Sequence, residues 1–300
     1  MTDVLTDAGT RRRSGRVFVL AMLLPMFVLL AAFTLYPFVS VLVYSLREMD
    51  LTSPSRDGFA GLSNFVGAMS ASGLLNSVVI TIVLVVTVVI VEFITGFFVA
   101  TMLWRPLPGS RIYLSLLVLP FAATPVAAYL AWRLMLNPDG GQVNTLLSAV
   151  GLPEQAWTSD PTLALVSIMA VDIWQWSPFV TLIMVAGLQS LPSEPFEAAA
   201  LDGAGAWQRV RLVALPLLKP LIAFVVTFRA IDAARTFDSI WIITQGGPGS
   251  ATETLTVRIY REAFTNLDIG QASALGLLLL IGLIVLGRTF AAPTLQRLEK

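Results

Sequence analysis

The sequence predicts an all-α membrane protein with six spanning helices. Three observations carry that prediction. Hydrophobic residues make up 56% of the 300 and charged residues only 13%, where an average soluble domain carries about 25% charged, so too little polar surface remains to cover a water-facing globule. Six stretches reach the roughly 20 apolar residues that a spanning helix needs. Cysteine and histidine are both absent, which removes disulfides, thiolate and imidazole metal sites, and histidine-based triads. The formal net charge of zero gives no long-range attraction to nucleic acid.

Taken in order, the first stretch, 17–46, follows Arg11, Arg12, Arg13 and Arg16. A cleaved signal has an apolar core of only about 7–15 residues, so this longer run reads as a retained first span. The others are 74–103, 112–136, 162–188, 217–244 and 270–291. Pro25, Pro37, Pro120, Pro125 and Pro178 lie inside them, tolerable where neighbouring groups satisfy the freed carbonyls and expected to kink the helix. The chain then divides into a tail at 1–16, a six-helix transmembrane body at 17–292 with a long loop at 191–216, and a tail at 293–300.

Orientation follows from the Lys/Arg bias of the connections. One set of flanks carries Arg11, Arg12, Arg13, Arg16, Arg105, Arg111, Arg209, Arg211, Lys219, Arg288, Arg297 and Lys300; the other carries Arg47, Arg56, Arg133, Arg258 and Arg261. The richer side is expected to be cytoplasmic, with both termini inside. The connection between the fourth and fifth spans, 189–215, then faces the cytoplasm. It is far longer than the other internal connection, 104–111, so it is expected to fold.

Its sequence, LPSEPFEAAALDGAGAWQRVRLVALPLLKP over 191–220, is legible residue by residue. Ser193 can cap a helix, Glu194 and Glu197 suit its first turns, and Pro195 is allowed there. Glu197 to Leu201 has high helix propensity. Gly203 can take the left-handed conformation that ends such a helix. A second short helix is expected over 205–212, with Pro216 marking the change into the fifth span.

Six charges fall within or near spans: Glu92, Asp172, Arg229, Asp232, Arg235 and Asp238. Each ionised group facing lipid at mid-bilayer would cost about 2.5–3.5 kcal/mol on insertion scales, so they must pair, neutralise or face a cavity. Arg229, Asp232, Arg235 and Asp238 recur every three residues and predict an alternating ladder, spiralling by about 60° per step. The ladder either fixes the fifth span against its neighbours or lines a path with Asp172, Trp174, Gln175 and Trp176 of the fourth; Trp174 and Trp176 could equally be interfacial anchors. Glu92 stands alone in a Val/Ile-rich span, either holding a proton or paired with another subunit. The glycines and proline of 244–249 read as a tight external turn.

The long loop resembles the EAA loop of ABC importer permeases: E-A-A, three residues, G, nine residues, an aliphatic residue, one more, then L-P. Glu197-Ala198-Ala199, Gly203, Val213 and Leu215-Pro216 fit every spacing. Further segments resemble the MalF-like carbohydrate branch of that family: Trp174 to Phe179, Ala186-Gly187-Leu188 with Leu191-Pro192, Phe228 to Asp232, Phe237-Asp238, Thr244 to Gly249, Tyr36-Pro37, and Gly61 to Phe65. The resemblance implies a MetI/MalF-like permease of six helices with a cytoplasmic coupling helix. Glu197 would pair with a basic group on a separate ATPase, Phe196, Ala198 and Ala199 would pack in its groove, Asp202 would belong to the same ATPase-coupling set, and Gly203 would turn the chain out of the groove. The implied partners are a second permease subunit, a dimer of ATP-binding subunits holding ATP and Mg, an extracytoplasmic solute-binding protein, membrane lipid, and a sugar or sugar derivative of the disaccharide, polyol or glycosyl-glycerol class. No cofactor or metal is expected on this chain, which has no GxxxxGK[ST] phosphate loop. The competing readings are an ion-coupled secondary transporter, which leaves the loop unexplained and would call for repeats that are not visible, and an intramembrane aspartyl enzyme using Asp172 and Asp232.

Overall fold

The computed structural model describes residues 20–52, 58–104 and 109–295. Arg11, Arg12, Arg13, Arg16, Arg56, Arg105, Arg297 and Lys300, which contribute to the orientation argument, lie outside them. Among the described residues, four helices are long and apolar enough to cross a membrane: α1 (Leu20–Ser45), α3 (Leu74–Leu103), α7 (Pro161–Gln189) and the Ile269–Thr289 part of α13 (Ile269–Leu295). Two bent pairs bring the number to the six predicted when each is counted as one broken span: α4 (Ser110–Ala122) with α5 (Pro125–Met135), and α9 (Ala206–Leu217) with α10 (Lys219–Ala234). The remaining helices are α2 (Ser63–Ser70), α6 (Gln142–Ala149), α8 (Glu194–Leu201), α11 (Asp238–Ile243) and α12 (Leu255–Phe264).

Proline decides where these helices bend. The third span is not one kinked helix but two, at 88°. A residue before proline is pushed out of the helical region, and Ala123 and Thr124 are both extended ahead of Pro125, which opens α5. At the fifth span the expected boundary at Pro216 is corrected. Pro216 sits within α9, and the 74° bend falls at Leu218 with Pro220 in the first turn of α10. Wide π turns occupy Ala31–Leu35 and Val210–Ala214. Each lies just ahead of a proline, Pro37 and Pro216, whose missing N–H interrupts the regular ladder.

The chain forms two compact units. The first comprises the described residues of 1–69 and 262–277. Here α1 presents an apolar surface with none of its most hydrophobic stretch buried. A short antiparallel pair that the sequence did not predict, β1 (Arg47–Glu48) with β2 (Gly58–Phe59), follows it. The buried amide of Asn64 donates to the carbonyls of Ser45 and Arg47 at 2.9 and 2.8 Å, satisfying groups that a helix end leaves open. Gly270 lies against the same turn. A Cβ there would sit 2.7 Å from the Arg47 carbonyl oxygen.

The second unit comprises the described residues of 70–261 and 278–300. Its centre is α3 against α7, brought close by Gly96, whose missing Cβ would lie 2.9 Å from Val180. Gly187 of α7 does the same for α10, where a Cβ would meet Leu221 at 2.3 Å. Two apolar clusters result. One gathers Leu84, Val88, Ile168, Val171, Ala230 and Ile240; the other gathers Phe97, Ala100, Met184, Leu188, Phe196 and Val210. The connection into α7 is ordered from within. Asn144, buried, accepts from Trp157 Nε1 at 2.9 Å and donates to the Gln155 carbonyl at 2.9 Å. Asp160 caps α7 by accepting from the Thr162 and Leu163 amides, both at 2.9 Å.

Candidate functional site

The intramembrane charges converge on one guanidinium. Arg229 of α10 is 1% exposed and donates through Nε to Glu92 Oε2 at 2.7 Å and through Nη2 to Glu92 Oε1 at 2.8 Å. Nη2 also reaches Asp172 Oδ2 at 2.9 Å, and Nη1 reaches Asp232 Oδ2 at 2.7 Å. The Trp176 ring lies 4.3 Å from the guanidinium carbon, within cation–π range. Glu92 is therefore not alone and needs no partner subunit: it holds Arg229 with the two-oxygen fork that matches a guanidinium. The cluster joins three helices, α3, α7 and α10, in the span interior.

The ladder is shorter than its spacing predicts. Arg229–Asp232 and Arg235–Asp232 pair at 2.7 and 3.1 Å. α10 ends at Ala234, however, and Asp238 opens α11 after a non-helical break at Phe237, so Asp238 is off the stripe and exposed. The fifth span is accordingly not continuous through 244. Arg235 is exposed, while Asp172 and Gln175 are buried. Among the described residues, Asp172 Oδ1 and Gln175 Oε1 are each shielded without a hydrogen-bond partner, a state that costs free energy unless something else meets them. Trp174 is half exposed and packs edge-on to Trp132 at 5.4 Å. Trp176 joins Phe121 and Phe179 in an aromatic group. The 244–249 turn carries Gly246 and Gly249 at positive φ, and Thr252 Oγ1 donates to the Gly247 carbonyl at 2.8 Å.

The long loop folds as two helices. α8 ends in a Schellman turn: the Gly203 amide donates to Ala200 and the Ala204 amide to Ala199, at 3.1 and 2.9 Å, with Gly203 at φ +80°. Ser193 does stand before α8, but its hydroxyl makes no cap. Its carbonyl accepts from Phe196 and Glu197 at 2.9 and 3.0 Å. Phe196 is buried in this chain, its ring 4.8 Å from that of Trp104, so it anchors α8 here rather than in a partner's groove. Glu197, Ala198 and Asp202 are exposed and Ala199 is half-buried. Leu201 and Trp207 are 90% and 64% exposed. α8 therefore turns an acidic and small-residue face outward, with large apolar side chains beside it.

A family described as binding-protein-dependent transport system inner membrane components matches residues 93–298. The chain belongs to that family. Relatives agree. The chain is 35% identical to a probable ABC transporter permease protein, y4oQ, of Sinorhizobium fredii, over 87% of this chain and 84% of that one. It is 33% identical to the trehalose/maltose transport system permease protein MalF of Thermococcus litoralis, over 86% of each. It is 34% identical to the sn-glycerol-3-phosphate transport system permease protein UgpA of Yersinia enterocolitica, over 89% of this chain and 90% of that one. In fold it matches a chain of a bacterial ABC transporter involved in the import of alginate, at TM-score 0.84 and 20% identity, covering 97% and 99% of the two chains. The permease is thus an inner-membrane transport subunit of the MetI-like fold. The ion-coupled reading finds no support among these relatives.

Sequence reasoning placed Glu92 in a span but missed its partner. The available signal was stoichiometric: an unmatched acid in one span and a base in another imply each other, because neither is stable in lipid alone. It did not single out Arg209 because, in sequence, it is one of many basic residues on the richer set of flanks.

Proposed function

We propose that this permease is one half of the transmembrane pathway of an ABC importer for a sugar or sugar derivative of the disaccharide, polyol or glycosyl-glycerol class. ATP and Mg bind on a separate dimer of ATP-binding subunits, and this chain has no ATPase site of its own. The observation that carries the proposal is α8: a capped helix whose Glu197, Ala198 and Asp202 face outward while Phe196 pins it to the spans. Motion of a docked subunit would reach the spans through Phe196 and Trp104. The richer positive flank supports a cytoplasmic position for α8, both termini and the tails at 1–16 and 293–300. A second permease encloses the path, and an extracytoplasmic solute-binding protein delivers the sugar.

Trp174, Trp176, Gln175 and Asp232 are the groups we assign to the path, since indole faces, amides and carboxylates suit neutral hydroxyl-rich ligands. Arg235 and Asp238 contribute at its exposed end. Arg229 and Asp172 support it from behind. Alternating access is a shift of population driven by ATP-dependent engagement of α8.

The test is reconstitution of the complete importer with its binding protein. ATP-dependent uptake of a disaccharide, polyol or glycosyl-glycerol that the binding protein retains is expected. Uptake driven by an ion gradient without ATP, or a chain that transports alone, would sink the proposal.

A further inference from the structure

Beneath α8 lies a cavity of about 340 Å³. Its walls include Trp104 at the end of α3, Leu188, Gln189 and Leu191 at the end of α7, Phe196 of α8, and Arg209 of α9. Most of that lining is apolar. Thr101, Gln189 and Ser193 are its neutral polar members and Arg209 its charged one: the Arg209 Nε is shielded from solvent and has no hydrogen-bond partner among the described residues, and no carboxylate among them pairs with it. A shielded guanidinium donor left unmet is costly. We propose that this cavity binds the phosphate of an anionic phospholipid headgroup, with Arg209 as its ligand.

The chemistry and the position agree. Guanidinium Nε and Nη form a fork that fits two phosphate oxygens. α3 runs for 30 residues, about 45 Å of helix, which exceeds a hydrocarbon core of about 30 Å. Its Trp104 end therefore stands at headgroup depth, where tryptophan is favoured. Gln189 is the last residue of α7 and stands at the corresponding end of that span. The apolar walls receive the glycerol and the upper acyl carbons, and a phosphate at Arg209 meets the unpartnered Nε. On the orientation proposed above this is the cytoplasmic leaflet, whose anionic lipids are drawn to basic pockets. Phe196 is both a wall of this cavity and the anchor of α8, so a bound headgroup would steady the seat of the helix that engages the ATP-binding subunit. The inference rests on the membrane assignment and on the orientation, not on the sugar reading.

The test uses the intact importer complex in nanodiscs of phosphatidylcholine with or without phosphatidylglycerol, with lipid retention read by native mass spectrometry. Wild type is expected to retain phosphatidylglycerol, saturating at one molecule per copy of this chain. Arg209→Gln should lower that retention about tenfold, the worth of one charge-assisted phosphate contact. Arg211→Gln, at an exposed neighbour, should leave it unchanged. Equal loss in both variants, or retention by wild type that rises without saturating, would mean general charge attraction and overturn the site. So would millimolar inorganic phosphate displacing the lipid completely, since the occupant would then be a soluble anion. Loss of the ATP-binding subunit from Arg209→Gln with lipid retention intact would assign Arg209 to a protein carboxylate instead. The wild-type saturation measurement stands even if Arg209→Gln fails to assemble.

Discussion

The Arg229 cluster and the α8 segment hold their charges in opposite ways. Arg229, Glu92 and Asp172 are buried and joined to one another across three helices. Glu197 on α8 and Asp202 just after it stand exposed and form no salt bridge among the described residues. In the span interior the surroundings cannot solvate a charge, so the chain supplies every partner itself. At the loop, water already solvates the acids, so they remain free for another protein. Charge inside the span therefore reads as architecture, and charge on the loop reads as recognition.

The sharpest way to break this contrast is at Arg229. Arg229→Met strands Glu92 and Asp172 in the interior, and removing one partner of a buried ion pair costs about 3–5 kcal/mol. We expect little folded protein in the membrane, measured by immunoblot and by thermal unfolding in detergent. The double variant Glu92→Gln with Arg229→Met should recover part of the loss. Unchanged folding in the single variant would make the cluster functional rather than architectural. Next comes Glu197→Lys. Uptake should fall at least about tenfold, the worth of one charge-assisted contact, while membrane levels hold and the ATP-binding subunit co-purifies poorly. Equal loss of uptake and protein level would remove the distinction between the two regions.

These two positions also show what was legible. The α8 segment was readable because its signals are local: helix-forming alanines, a glycine at the left-handed position and a fixed spacing to Leu215-Pro216. The Arg229 cluster was half readable. Spacing gave Arg229–Asp232–Arg235, but Glu92 lies 137 residues away from Arg229 and no local pattern encodes that distance. Asp238 was misplaced for a related reason, since a stripe rule assumes a continuous helix and α10 stops at Ala234.

Gly187→Ala probes the packing that lets α7 approach α10. The added Cβ would sit 2.3 Å from Leu221 Cδ2, and overpacking of this kind costs about 1–3 kcal/mol, read as a lower unfolding temperature with residual uptake. The smallest effects belong to the proposed path. Asp232→Asn should lower uptake more than protein level, because it keeps the shape of the Arg229 and Arg235 contacts while changing their charge. Asp238→Asn should lower uptake less still and leave stability unchanged, since that side chain is exposed and off the ladder. A reversed order of these two would move the path away from the Arg229 cluster.

The sequence by itself determined that the chain is built for a bilayer, which six stretches are apolar enough to be candidate spans, and where α8 begins and ends. Those properties depend on composition and on neighbours a few residues apart, which the order of residues states directly. Tertiary structure alone decided that Glu92 completes Arg229, that Phe196 anchors α8 inward, and that Arg209 is left unmet beside a cavity. Each depends on which helices meet, and that is set by close approaches such as Gly96 on Val180 and Gly187 on Leu221, which no local spacing contains.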